Sequence, residues 1–111
     1  MGLPHATAGE VIKLIPPDLN LEEAKTTAIV KTKEFETIRL CVHAGQVIPP
    51  HKTKGPITVQ CLKGRAIFNI GQNKNELQPG DWLYLGPNEV HSLEGLEDSA
   101  LLLTIIFIPS D

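Results

Sequence analysis

Turn-forming residues recur so closely along this chain that the stretches between them read as short strands. Ala44-Gly45, Pro49-Pro50, Lys54-Gly55-Pro56, Lys63-Gly64, Gly71-Gln72-Asn73, Pro79-Gly80-Asp81 and Gly86-Pro87-Asn88 punctuate the sequence. The strand candidates are Glu10–Ile15, Thr26–Thr32, Phe35–His43, Ile57–Lys63, Arg65–Ile70, Trp82–Leu85, Val90–Leu93 and Ala100–Ile108. Several alternate with a period of two. Ile38, Leu40 and Val42 oppose Arg39, Cys41 and His43; Ile57, Val59 and Cys61 oppose Thr58, Gln60 and Leu62. Only Leu19–Lys25 reads as helical, with Asp18 or Asn20 as its cap. This spacing suits an all-β sandwich or jelly-roll barrel.

A length of 111 residues fits one domain, and 41% hydrophobic content is enough for a core. Aromatic content is only 5%, so aliphatic side chains must fill that core. Residues 1–9 are expected to be flexible and residues 10–111 to form the domain. The net charge of -3 gives no basis for nucleic-acid binding. No secretory leader is recognised. The apolar run Ala100–Ile108 is far short of the roughly 20 residues that span a bilayer, so no membrane association is expected. Cys41 and Cys61 form no CxxC pair and read as reduced, packed thiols of a cytoplasmic protein.

Charge is segregated along the chain. Between Thr37 and Asn75 there are six bases and no acid; from Glu76 to Asp111 there are seven acids and no base. Interleaved strands would neutralise one another. Alternatively, Arg39, Lys52 or Lys54 would draw an anionic ligand to a pocket mouth.

Two histidines stand out by their frames. His51 ends Gly45-Gln-Val-Ile-Pro-Pro-His51 and is followed by Thr53 and Gly64; His91 follows Pro79-Gly80-Asp81 and Gly86-Pro87-Asn88. Gly45, His51, Thr53 and Gly64 resemble the first motif of the cupin superfamily, and Pro79 through His91 resembles the second. The chain is similar to the short, single-domain bacterial cupins. The resemblance implies an all-β, RmlC-like jelly-roll barrel, a small-molecule ligand and a homodimer, with Glu10–Ile15 free to extend a neighbour's sheet.

The departures from the motif bear on chemistry. Thr53 stands where the second histidine of His-x-His falls, and the motif glutamate falls at Ile57, or at Thr58 if the register is one longer. The resemblance implies a divalent metal, such as zinc, nickel, iron or manganese, held by His51 and His91. Such a site needs at least three protein ligands, and His43 would supply a third imidazole if it faces the interior. A metal-free alternative uses His51, His91, Thr53 and Tyr84 to line a ligand pocket, with Tyr84 a candidate acid of an epimerase-like pair. Trp82 and Tyr84 share a face that would line the pocket or cover the sheet exterior.

Three functions follow as expectations. The first is a pocket module binding a small molecule, an anionic one where the bases at its mouth take part. The second is a metal-dependent oxygenase or isomerase. The third is a structural protein with a vestigial pocket, plugged by Ile57 and Leu62. No residue is assigned a catalytic role.

Overall fold

A computed structural model of the protein describes residues 5–109. Nine strands form in chain order: β1 (Thr27–Lys31), β2 (Phe35–Val42), β3 (Val47–His51), β4 (Ile57–Lys63), β5 (Ala66–Ile70), β6 (Asn73–Leu77), β7 (Trp82–Leu85), β8 (His91–Gly95) and β9 (Ser99–Ile106). They make two antiparallel sheets, β1-β2-β9-β4-β7 and β3-β8-β5-β6. The two-layer arrangement is the jelly roll expected from the sequence.

The period-two pattern decides which side chains meet between the sheets. Ile57, Val59 and Cys61 from β4, Phe68 from β5, Leu93 from β8 and Leu101 from β9 are buried in one cluster, with Leu40, Ile48, Leu83, Leu103 and Ile105 packed against it. Each such aliphatic side chain contributes roughly 1.5–3 kcal/mol by leaving water. Cys61 lies on the inner side of β4, and burial followed by the nearby Asp81 carboxylate pushes its thiol pKa up. Cys41 lies on β2, which β9 separates from β4, so the two cysteines are free and buried apart.

Four elements differ from the sequence reading. Glu10–Ile15 is not a strand, and Leu19–Lys25 supplies a single turn rather than a helix. In that turn the Asn20 carboxamide accepts from the Glu22 N–H at 2.9 Å, and the Asn20 carbonyl accepts from Ala24 N–H at 2.8 Å. A helix this short gains too few bonds to offset its nucleation cost. β3 and β6 are strands that the sequence reading passed over. β3 carries Pro49 and Pro50, which read as a turn; both are tolerated because β3 is a sheet edge with no outer neighbour to receive their missing N–H donors. β6 reads Asn-Lys-Asn-Glu-Leu, a polar edge with only Leu77 fully buried. Of the stretch 1–9, residues 1–4 lie outside the described residues; beyond them, Ala6 N–H donates to the Ile29 carbonyl of β1 at 2.8 Å.

Sequence-remote charges meet where β5 and β6 pair. Arg65 bridges Glu76 at 3.0 Å and Glu97 at 3.5 Å, an interleaving of the basic and acidic halves. The groups are solvated, so the contribution to stability is small.

Gly64 closes the β4–β5 connection with φ near +80°, and a Cβ there would run into the Asp98 carbonyl and Ser99. Gly64→Ala therefore meets both a left-handed backbone penalty and a clash. The expected loss is about 2–4 kcal/mol, seen in thermal denaturation as a midpoint lowered by roughly 10 °C or more. An unchanged midpoint would contradict this account of the turn.

Candidate functional site

His51 and His91 meet because of a one-residue irregularity. β3 and β8 pair with Val47 opposite Glu94 and Ile48 opposite Leu93, then shift so that His51 stands opposite His91. Two residues, Pro49 and Pro50, lie between Ile48 and His51, but only Ser92 lies between His91 and Leu93. Since side chains alternate along a strand, the extra residue in the Pro49-Pro50 segment turns His51 onto the face shared by Ile48, Leu93 and His91. The two imidazole centroids lie 4.2 Å apart, edge to face at 64°. His91 is buried and stacks on Phe68 at 5.4 Å, whereas His51 is exposed at the rim.

Backbone carbonyls fix which nitrogen each ring offers. His51 Nδ1 lies 3.0 Å from the Pro49 carbonyl, and His91 Nδ1 lies 3.0 Å from the Glu89 carbonyl. A carbonyl can only accept, so Nδ1 carries the proton in both rings. The neutral form of each therefore presents Nε2 as a lone-pair acceptor. Desolvation is the main cause that pushes the His91 pKa below its ordinary value; the Glu89 carbonyl opposes this and the charge of His51 adds to it.

The lowered His91 value has a consequence for stability. The unfolded chain takes up this proton first as pH falls, so the contribution is complete above the unfolded value of about 6.5. It is lost progressively as pH drops through that value toward the lower folded one. Denaturant titrations between about pH 5 and pH 8 are expected to show the decline. His91→Phe is expected to flatten it; equal slopes in both proteins would contradict the assignment.

The two imidazoles cap a cavity otherwise lined by Leu40, Ile48, Val59, Phe68, Leu93 and Leu103. The cavity itself is small, about 30 Å³, room for a few atoms beneath the histidine rim and far below the several hundred Å³ of a drug-sized site. Neither Ile57 nor Leu62 lines it. Sequence reasoning missed the six apolar wall residues. Alternation on β2 and β4 places Leu40 and Val59 on the aliphatic faces of their strands, but not as neighbours of the histidines.

The other expected site residues fall elsewhere. His43 lies just past the end of β2, where its Nε2 donates to the Glu22 carbonyl at 3.0 Å. Its own carbonyl packs against Gly95, at the far end of β8 from His91, and four residues of strand correspond to about 13 Å. Tyr84 is 66% exposed and pairs with outward-facing Thr58, so it is on the exterior of the other sheet and cannot serve as an acid beside either histidine. Trp82 accompanies it there, at 57% exposure.

Thr53 does not line the cavity, but it ties together the two loops that carry the histidines. Its hydroxyl donates to the Gly55 carbonyl at 2.9 Å, and its carbonyl accepts from the Asn88 N–H at 2.8 Å. Asn88 itself has φ near +63°, a left-handed turn conformation that asparagine accepts. Lys52 and Lys54 are exposed beside His51 and do not line the cavity.

These donors do not fit a resident divalent metal. His51 and His91 supply two nitrogens, His43 is remote, the Thr53 hydroxyl is engaged, and Ile57 has no donor atom. No group of three or more His, Cys, Asp or Glu side chains converges among the described residues. The wall around the pair is hydrocarbon, which offers a cation no replacement for its lost hydration.

Comparison with known proteins agrees with this architecture. A family model described as the cupin domain matches residues 38–107, more than half the chain. The fold is a jelly-roll β-barrel, and the chain belongs to the cupin family. It is similar to a solved conserved protein of unknown function from Streptococcus pyogenes, at 19% identity and a TM-score of 0.78, covering 99% of this chain and 97% of that one. A cupin superfamily protein from Desulfitobacterium hafniense aligns at 16% identity and a TM-score of 0.74, covering 89% and 100%. A DMSP lyase from Ruegeria pomeroyi aligns at 16% identity and a TM-score of 0.67, covering 78% and 47%. No curated protein matches the chain.

Proposed function

We propose that the protein is a binding module whose cavity takes a small, largely apolar molecule through a hydrogen-bond-donating head. One observation carries this reading: both Nδ1 atoms are committed to carbonyls, so the neutral form of each ring at the cavity offers Nε2 as its remaining polar atom, an acceptor. An alcohol or amide satisfies such acceptors. A carboxylate meets two lone pairs and is repelled until an imidazole is protonated. This favours a neutral ligand over the anionic one suggested by Lys52 and Lys54. The module is further proposed to act in the cytoplasm as a homodimer.

The test is a matched four-carbon series, n-butyramide, n-butanol and butyrate, titrated at about pH 8 while the His91 ring resonances are followed. Amide and alcohol are expected to bind at least ~10-fold more tightly than butyrate, about one hydrogen bond's worth. Tightest binding by butyrate would overturn the proposal.

A further inference from the structure

Arg39 stands on β2 with nothing in the sheet to balance its charge. Strand parity sends it away from the histidines: its neighbour Leu40 lines their cavity, so Arg39 projects from the opposite face and does not stand at that cavity's mouth. Its companions on the outer face are Thr27 across on β1, Leu102 across on β9, and Thr37 and Cys41 along β2, none of them an acid. Among the described residues the guanidinium enters no ion pair; the two that form both use Arg65. One acceptor meets it, the Leu14 carbonyl, to which Nη1 donates at 3.2 Å. Nε is buried without a partner among the described residues. A half-buried cation so thinly satisfied is costly unless an anion completes it.

The segment before β1 supplies a facing bank. It crosses the outer face over β2, where the Thr26 hydroxyl accepts from the Cys41 N–H at 3.0 Å. Between this segment and Arg39 lies an open groove of about 340 Å³, against about 30 Å³ beneath the histidines. Pro16, Leu19 and Ala24 give the groove an apolar lining, with Asp18 and Glu23 on the loop bank and Arg39 on the sheet. Asp18 and Glu23 form no ion pair with Arg39. The turn held by Asn20, which brackets Glu23 through its bonds to the Glu22 and Ala24 N–H groups, keeps the loop in place. Opposite charges therefore face one space without closing on each other.

We propose that this groove binds a free amino acid with a basic side chain, of the lysine type. Arg39 takes the carboxylate, which supplies acceptors that its guanidinium lacks. Asp18 and Glu23 take the two ammonium groups, and the hydrocarbon between them lies over Pro16, Leu19 and Ala24. Charge selects this class of ligand. The groove carries two carboxylates and one guanidinium, so a simple carboxylic acid meets net repulsion, and a simple amine leaves Arg39 unmet. An amino acid with a second amine matches all three groups, and the filled groove is neutral. The site lies on the other side of β2 from the histidine cavity and stands independently of the function proposed for that cavity.

Titration of the full chain at about pH 7.5, where all these groups are charged, with L-lysine, cadaverine and L-norleucine tests the proposal, with the Arg39 Nε–H resonance as the readout. Cadaverine is lysine without its carboxylate, and norleucine is lysine without its side-chain amine. Lysine is expected to bind at least ~10-fold more tightly than cadaverine, because the bonds lost are charge-assisted and made to a half-buried group. It is expected to bind roughly 2- to 5-fold more tightly than norleucine, because an exposed ion pair contributes less. Asp18→Asn with Glu23→Gln alters only exposed side chains, so the fold should survive, and lysine and norleucine should then bind alike. No saturable response to lysine, or displacement of lysine by n-butyramide, would overturn the site. Cadaverine binding as tightly as lysine would overturn the carboxylate seat on Arg39. Lysine affinity unmoved by the double substitution would overturn the ammonium seats.

Discussion

Ile57→Glu is expected to be among the most damaging single substitutions in this protein, costing on the order of 4–5 kcal/mol. Position 57 is one of the two places, with Thr58, where the carboxylate of the motif that the sequence resembles would fall, so the change formally restores a ligand. The surroundings do not support one. Ile57 is 1% exposed within the core cluster, opposite Leu85 on β7 and Ile105 on β9. A carboxylate there loses hydration without gaining a cation or donor, and it must stay protonated or unfold its surroundings. Such a loss is a large share of the roughly 5–15 kcal/mol that holds a domain of ordinary stability. Urea denaturation in the presence and absence of zinc checks both halves of the argument. Marked destabilisation, indifferent to the metal, is expected. A variant of native stability that zinc stabilises further would show that the site needs only one carboxylate to become a metal centre.

Replacing both imidazoles by phenyl rings, His51→Phe with His91→Phe, is expected to abolish most ligand binding while sparing the fold. His91 already stacks against Phe68, so an aromatic ring of similar shape suits its place, and His51 sits at the solvent-exposed rim. What disappears is the pair of Nε2 acceptors. Two hydrogen bonds at roughly 1–1.5 kcal/mol each give a loss of 2–3 kcal/mol, about 30- to 150-fold in affinity for n-butyramide. Isothermal titration alongside thermal denaturation checks this. Retained affinity would mean that the hydrocarbon wall, and not the histidines, selects the ligand.

The fold was largely legible because two kinds of signal coincide. Alternation in Phe35–His43 and Ile57–Lys63 marked inward and outward residues, and turn dipeptides marked where strands end; β2 and β4 appear within a residue of those limits. β3 and β6 escaped because sheet edges relax the rules that the reading relies on. An edge strand tolerates prolines that a central strand does not, and it carries polar residues that otherwise signal a loop. Glu10–Ile15 has the composition of a strand, but it joins neither sheet.

The site was legible in its two histidines and not in its surroundings. Resemblance of the glycine frames around His51 and His91 to the two family motifs implies a shared site for the pair. The inward aim of His51 depends on a bulge that no local pattern announces. The same gap explains the misplaced residues. His43 continues the alternation of β2 in sequence, but the strand ends at Val42 and its ring turns to the Glu22 carbonyl. Tyr84 was drawn to the pocket by proximity along the chain, and the parity of β7 sends it outward. Thr53 was expected as a ligand-facing group and serves instead through its backbone, holding Asn88.

The central claim, that the carbonyls hold the proton of each neutral imidazole on Nδ1 and leave Nε2 as the acceptor, is tested most directly by nitrogen NMR of the histidine side chains near pH 8. The account predicts that both His51 and His91 show a protonated Nδ1 and a lone-pair Nε2, and that n-butyramide shifts the Nε2 resonances while leaving the Nδ1 resonances in place. A proton on Nε2 of either ring, or Nε2 resonances indifferent to the ligand, would contradict it.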